Sequence, residues 1–266
     1  MEKITSRQNP RIKELVKLQE RSYRDKMGKF IVEGSRELIS AINGGIYIEE
    51  VYWSSECGSE KRREEALGAL GKTSATLIET TKEVFEKFSN RNNPDGVVGV
   101  GWYERKGIED LEYNSETPLI LVLEGVEKPG NLGAIIRSAD TACVDAIFCA
   151  DPATDIYNPN VIRSSQGQVF SMPIFVAGNE EIYDFLESED IRVVVSTPAA
   201  NELYWNLDMS DATAIIMGSE KEGVSEFWLR DEFPKAKIPV LGSADSLNLA
   251  AASVLFLYEA VRQRTT

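Results

Sequence analysis

LILVLEGV at 119–126, AIFCAD at 146–151, VVVST at 193–197, AIIMGSE at 214–220 and AKIPV at 236–240 are runs in which apolar, largely β-branched residues follow one another without alternation. That is the pattern of strands buried on both faces in a parallel sheet. Between the runs lie helical segments beginning near Gly133, Pro159, Glu180, Ser225 and Ser246. Strands alternating with helices dictate an open α/β sheet. In such sheets ligands sit beyond the carboxyl ends of the strands, so the polar residues just after each run are where chemistry is to be sought.

Working back toward the N-terminus, shorter strand-like runs (FIVEG at 30–34, IEEVYWS at 48–54, ATLIE at 75–79, GVVGVGWY at 96–103) alternate with helical stretches at 35–42, 58–70 and 81–88. Asn9 and Pro10 open an amphipathic helix with Ile12, Leu15 and Val16 on one face and Arg11, Lys13 and Lys17 off it. The pattern predicts a small α/β domain over residues 1–103. A polar, acidic linker follows over 104–118 and the parallel-sheet domain over 119–266.

The chain has 266 residues, 42% hydrophobic and 27% charged, as in ordinary water-soluble domains. No apolar run reaches the roughly 18 residues of a membrane span, and no apolar segment follows the basic start, so no membrane partner and a cytoplasmic location are expected. The chain contains no histidine, which excludes Ser-His-Asp hydrolysis, His-ligated metal sites and His general bases. Cys57, Cys143 and Cys149 are odd in number and form no CxxC pair, so neither a metal site nor a disulfide framework is expected, and buried free thiols are.

The net charge of −14 counts against a nucleic-acid partner, yet residues 1–40 carry ten basic side chains against six acidic ones. Such asymmetry fits a surface that faces a polyanion. A merely solvated basic helix face would read the same way.

Three strand ends carry polar, glycine-bearing sequences. EKPGNLGAIIRSAD at 127–140 places Asn131 in a Pro-Gly turn and Arg137 one and a half helical turns on, so that both can face the strand-end crevice. It is neither a dinucleotide nor a nucleoside-triphosphate fingerprint, which removes most of the case for a nucleotide-binding oxidoreductase or a P-loop enzyme. Taken alone, Asn131 also reads as a turn or N-cap residue and Arg137 as half of a surface ion pair. GSEKEG at 218–223 places Glu220 directly at a strand end and also reads as a tight βα turn with solvated charge. IPVLGSADSLNLAAASVLFLYEA at 238–260 runs from a short strand through a glycine turn into a helix whose start is marked by Asp245, Ser246 and Asn248. That helix is apolar nearly all round and must be buried on several sides, by its own sheet and by a second subunit.

NLGAIIRSAD, IMGSEKEGVS and the 238–260 segment together resemble, in order and spacing, the three motifs of the SpoU or TrmH family of S-adenosylmethionine-dependent RNA 2′-O-ribose methyltransferases. VIRSSQGQVFSMPI at 161–174 is also similar to that family. The N-terminal stretch SRQNPRIKELVKLQERSYRDKMGKFIVEGSREL at 6–38 resembles the family's substrate-binding domain, itself similar to small ribosomal RNA-binding proteins.

The resemblance implies a SPOUT-type α/β domain with a deep C-terminal trefoil knot, a rare exception to normal chain topology. It also implies a homodimer formed through the knotted domain and S-adenosylmethionine held largely by backbone at Thr197, Gly218, Ile238, Leu247 and Asn248. The implied catalytic set is Arg137, Asn131, Glu220, Ser246 and Asn248, with no metal. RNA contacts are expected at Arg7, Arg11, Arg24, Lys29 and Arg163. The N-terminal domain type points to large-subunit ribosomal RNA before transfer RNA. A catalytically idle RNA-binding or ribosome-assembly factor on the same scaffold is the alternative.

Overall fold

A computed structural model of the chain describes residues 2–103, 106–113 and 115–265. The chain divides into two compact units, Met1–Arg105 with Asp155–Ser171, and Lys106–Thr154 with Met172–Thr266. The break after 105 falls within the predicted linker, of which residues 104, 105 and 114 fall outside the described residues. Asp155–Ser171, read from sequence as part of the second domain, packs with the first unit.

The first unit is built on strands β1 (Glu2–Ile4), β2 (Lys29–Glu33), β3 (Ile48–Trp53), β4 (Thr76–Thr80) and β5 (Val97–Trp102). They form one mixed sheet in the order β1-β4-β3-β5-β2. Helices α1 (Pro10–Lys17), α2 (Arg21–Met27), α3 (Ser35–Asn43), α4 (Glu60–Ala69) and α5 (Lys82–Phe88) accompany it. Helix α1 starts where the sequence says it should. Asn9 Oδ1 accepts from Arg11 N at 2.9 Å and Pro10 occupies the first turn, where its missing N–H costs nothing. Ile12, Leu15 and Leu18 enter a core shared with Ile31, Tyr52, Phe85 and Phe88.

In the second unit β6 (Leu119–Glu124), α6 (Pro129–Thr141) and β7 (Ala146–Ala150) come first. The chain next makes α7 (Pro159–Ser164), within the segment that packs with the first unit, and returns as β8 (Ile174–Ala177). Then follow α8 (Asn179–Ser188), β9 (Arg192–Ser196), β10 (Glu202–Leu203), β11 (Thr213–Met217), β12 (Lys235–Lys237) and α9 (Leu249–Arg264).

The strand order is β10-β12-β9-β11-β6-β7-β8, and every pairing is parallel. All six side chains of β6 and all five of β7 and of β11 are buried, as unalternating apolar runs require. From β6 the chain builds outward through β7 to β8. It then crosses to β9 and inserts β11 between β9 and β6, so the order reverses at the β6/β11 junction. A crevice opens at such a switch point.

The helix expected near Ser225 is absent, and residues 224–234 form turns. The buried Glu124 carboxylate takes Ser225 N at 2.7 Å and Ser225 Oγ at 2.6 Å, which ties down the residue where that helix would begin. The segment is instead anchored by Trp228, fully buried and donating from Nε1 to Asn179 Oδ1 at 2.8 Å. Helix α9 begins at Leu249 behind Asn248, three residues later than the sequence pattern indicates. Of the cysteines, Cys57 and Cys149 are buried as expected, but Cys143 is exposed.

Candidate active site

A cavity of about 660 Å³ opens beyond the carboxyl ends of β9, β11 and β12, within the size range of small-molecule sites. Each strand delivers a different lining. The end of β9 runs into Thr197, whose amide bonds Ala236 O at 3.0 Å and so fixes the first wall. The end of β11 gives Gly218 and Glu220, and the stretch after β12 gives Ile238, Ser246 and Leu247.

Gly218 is required sterically. The loop folds back on itself through paired backbone bonds between Ser219 and Gly223 at 3.0 and 3.1 Å. A Cβ at 218 would then lie 2.0 Å from the Gly223 carbonyl carbon. A cavity lined by loops at strand ends offers a ligand backbone amides and carbonyls beside its side chains.

Glu220, which lines the cavity, ends a hydrogen-bonded chain of three side chains from three separate elements. Asn248 caps α9, its Oδ1 accepting from Ala250 N at 3.0 Å. Its amide Nδ2 donates to Asn131 Oδ1 at 3.1 Å, and Asn131 Nδ2 donates to Glu220 Oε1. Glu220 Oε2 is buried with no hydrogen-bond partner among the described residues. A buried carboxylate oxygen left open at a cavity wall suits a ligand hydroxyl or cation.

Arg137 is not drawn into this group. Six residues beyond Asn131, it is rotated by roughly 120° around α6 and displaced by about 9 Å along it. It is exposed and forms no hydrogen bond or ion pair among the described residues. The expectation that Asn131 and Arg137 share one crevice therefore fails within a single chain.

The sequence pattern missed Glu124, whose carboxylate, besides holding Ser225, accepts from Asn179 Nδ2 at 2.6 Å. This buried clasp ties the loop after β11 to the end of β6. The available signal was a lone carboxylate closing an otherwise apolar strand.

The residues proposed for RNA contact divide sharply. Arg24 requires correction: its side chain is 1% exposed. It donates to Leu18 O at 3.0 Å and Gln19 O at 2.7 Å and pairs with Asp155 at 2.6 Å, so it is a structural cation. Arg11 pairs with Glu2 at 2.8 Å and Glu50 at 3.7 Å, and the Glu2 hydrogen bond is the main cause that raises its pKa. Lys29 pairs with Glu49 at 2.6 Å and lies over the Trp102 ring, so both it and Arg11 are already neutralised by neighbours. Arg7 is exposed and bonds a backbone carbonyl, that of Glu83, at 2.7 Å. Arg163 is exposed on α7 without a partner among the described residues.

Comparison with known proteins meets this geometry from outside. Residues 118–258 match the model of the SpoU rRNA Methylase family, and residues 9–99 match the MRM3-like substrate binding domain. A 23S rRNA (uridine(2479)-2'-O)-methyltransferase of Streptomyces viridochromogenes is 30% identical over 251 residues, 92% of this chain and 86% of that protein. The crystal structure of an RNA 2'-O ribose methyltransferase superposes with a TM-score of 0.85 at 39% identity, covering 99% of this chain and 100% of the other. An AdoMet-bound rRNA methyltransferase from Sinorhizobium meliloti superposes with a TM-score of 0.88 at 29% identity, covering 98% of this chain and 97% of the other.

Proposed function

The chain belongs to the SpoU rRNA methylase family, and from that premise we propose that it is an S-adenosylmethionine-dependent methyltransferase acting on a ribose 2′-hydroxyl of large-subunit ribosomal RNA. The observation that carries this reading is the cavity beyond the carboxyl ends of β9, β11 and β12. Thr197, Gly218, Ile238, Ser246 and Leu247 line it together with Glu220, whereas Asn131, Arg137 and Asn248 do not.

The walls suit S-adenosylmethionine. Backbone groups of the loops after β9, β11 and β12 meet the polar edges of an adenosine, and the free Glu220 oxygen suits a hydroxyl or the positive charge that accompanies the ligand. When bound, S-adenosylmethionine supplies a methyl group on a sulfonium, open to in-line displacement. Thr197, Gly218, Ile238 and Leu247 would hold it, and the methyl it supplies would pass to the ribose 2′-oxygen, with a neutral thioether left behind and the hydroxyl proton released to solution. Asn248 and Asn131 hold Glu220 in one position, so that the site is set before substrate arrives. Arg137 acts as fixed positive charge for the developing alkoxide and the neighbouring phosphate, not as a base.

A deep C-terminal trefoil knot of the family's kind belongs to the same reading. A homodimer through α9 does too. Leu255 and Tyr258 are 37% and 46% exposed on this helix and would be covered in such a dimer. The first unit serves as the RNA-holding domain and the second as the catalytic one. Among the described residues no helix is long and apolar enough to cross a membrane, and a cytoplasmic place beside the ribosome's RNA follows from the function.

The test is transfer of tritiated methyl from S-adenosylmethionine to protein-free large-subunit rRNA and, separately, to transfer RNA. Label in the rRNA alone is expected. Label in transfer RNA alone would replace the substrate, and cofactor binding without any transfer would favour the idle assembly factor.

A further inference from the structure

The first unit holds a groove of about 470 Å³ that the catalytic reading leaves unused. Four guanidiniums line it, those of Arg36, Arg62, Arg91 and Arg163, in a chain whose net charge is −14. Two of them are spoken for. Arg91 pairs with Glu37 at 2.7 Å and Asp95 at 3.7 Å, and Arg62 reaches Asp95 at 3.6 Å. The other two have no carboxylate. Arg36 Nη1 bonds the neutral amide oxygen of Gln166, and Arg163 has no partner among the described residues. Glu65 is the one lining carboxylate outside the Arg91 and Arg62 pairs, so the groove keeps a positive excess.

The two open guanidiniums are also held near each other. Arg36 lies in the first turn of α3, where the partial positive charge of the helix end adds to its own. Arg163 lies on α7, and the turn after α7 rests directly on α3. A Cβ at Gly167 would meet Ser40 Cβ at 2.7 Å, and the Gly167 φ of +85° is one that side-chain-bearing residues rarely adopt. Ser35, 3% exposed, also lines the groove, and its Oγ has no hydrogen-bond partner.

We propose that this groove is a phosphodiester subsite for the RNA substrate, gripped by Arg36 and Arg163. The inference rests on the RNA methyltransferase reading above and deepens it by naming where the backbone is held. Planar guanidinium forks match phosphate oxygens in pairs, and two of them without carboxylate partners, on neighbouring helices, form a clamp for an anion brought from outside. The paired Arg91 and Arg62 brace the groove wall, and the carboxylates around them exclude a highly charged free anion such as a triphosphate.

The experiment is binding of protein-free large-subunit rRNA to the full-length protein at several salt concentrations. It compares the wild type with the double variant Arg36→Gln/Arg163→Gln and with the single variants Arg163→Gln and Arg163→Glu. All the replaced side chains are exposed, and unchanged S-adenosylmethionine affinity with unchanged far-UV circular dichroism certifies the fold. Each lost phosphate contact reduces the slope of log K against log salt by about 0.7 to 0.9. The double variant is therefore expected to lose roughly 1.5 from the slope and at least about tenfold in affinity at 0.15 M salt, and Arg163→Glu to lose more than Arg163→Gln. Wild-type RNA binding and methyl transfer with variants of the same affinity and slope would overturn the subsite and leave the methyltransferase reading standing. A wild-type protein that binds cofactor but neither binds nor methylates RNA would overturn both.

Discussion

Asn248 Nδ2 donates to Asn131 Oδ1 at 3.1 Å across 117 residues of sequence. One amide thus caps the final helix and steadies the residue that holds Glu220. The bond joins the first and last of the three sequence motifs and makes their spacing a matter of geometry. Replacing Asn248 by alanine removes a helix cap worth about 1 kcal/mol. It also frees Asn131 to rotate away from Glu220. Asn248→Ala is expected to lower thermal stability modestly and methyl transfer by at least about tenfold. Asn248→Asp keeps the cap but removes the donor to Asn131, so it should retain stability while losing activity. Equal activity in Asn248→Asp and the wild type would deny the relay.

Arg137 stands apart from the cofactor cavity. Arg137→Ala should therefore lower kcat by about 10² to 10³, the usual cost of removing a transition-state donor, with S-adenosylmethionine affinity by calorimetry unchanged. Loss of cofactor affinity in proportion to turnover would place Arg137 in the cofactor cavity instead.

Glu124 holds Ser225 and Asn179 through three hydrogen bonds of 2.6 to 2.7 Å. Glu124→Ala leaves buried donors unpaired, and about 2 to 3 kcal/mol of stability should go with it. Because the clasp ties down the loop that carries Gly218 and Glu220, the KM for S-adenosylmethionine should rise more than the KM for RNA. Urea denaturation and steady-state kinetics check the two effects separately.

Burial pushes the Cys149 thiol, on strand β7, from 9.0 up to about 12. Burial is also the main cause that raises Cys57. The fold favours the neutral thiol, so this contribution to stability is whole below pH 9 and is lost as pH rises toward 12. Denaturation midpoints should hold steady from neutral pH to about 9 and fall above it. In Cys57→Ala/Cys149→Ala the fall should begin about one pH unit higher. Tyrosines such as Tyr113, raised by burial from 10.0 to about 12, begin to titrate there. A thiol reagent at neutral pH should modify Cys143 in the native protein and the other two only after unfolding.

The parallel sheet was legible because strands buried on both faces leave an unbroken apolar record, as LILVLE and TAIIM do. The loops that line the cavity were legible for a related reason: glycines and polar residues follow those strands directly. Strand β1, three residues with a single buried side chain, has no such record and forms only by pairing with β4. Arg24 looked like its basic neighbours because what buries it, Asp155, lies 131 residues away. Nor could spacing reveal that Asp155–Ser171 packs with the first unit, or that Glu124 would capture Ser225 in place of a helix start. In each case a long-range polar contact overrode a local pattern.

The central claim is that the methyl group lands on a ribose oxygen. Alkaline hydrolysis of the tritium-labelled rRNA tests it most directly, because cleavage beside a nucleotide requires its free 2′-hydroxyl. Label recovered in alkali-resistant dinucleotides is the predicted result, and label recovered in mononucleotides would mean base methylation and contradict the account.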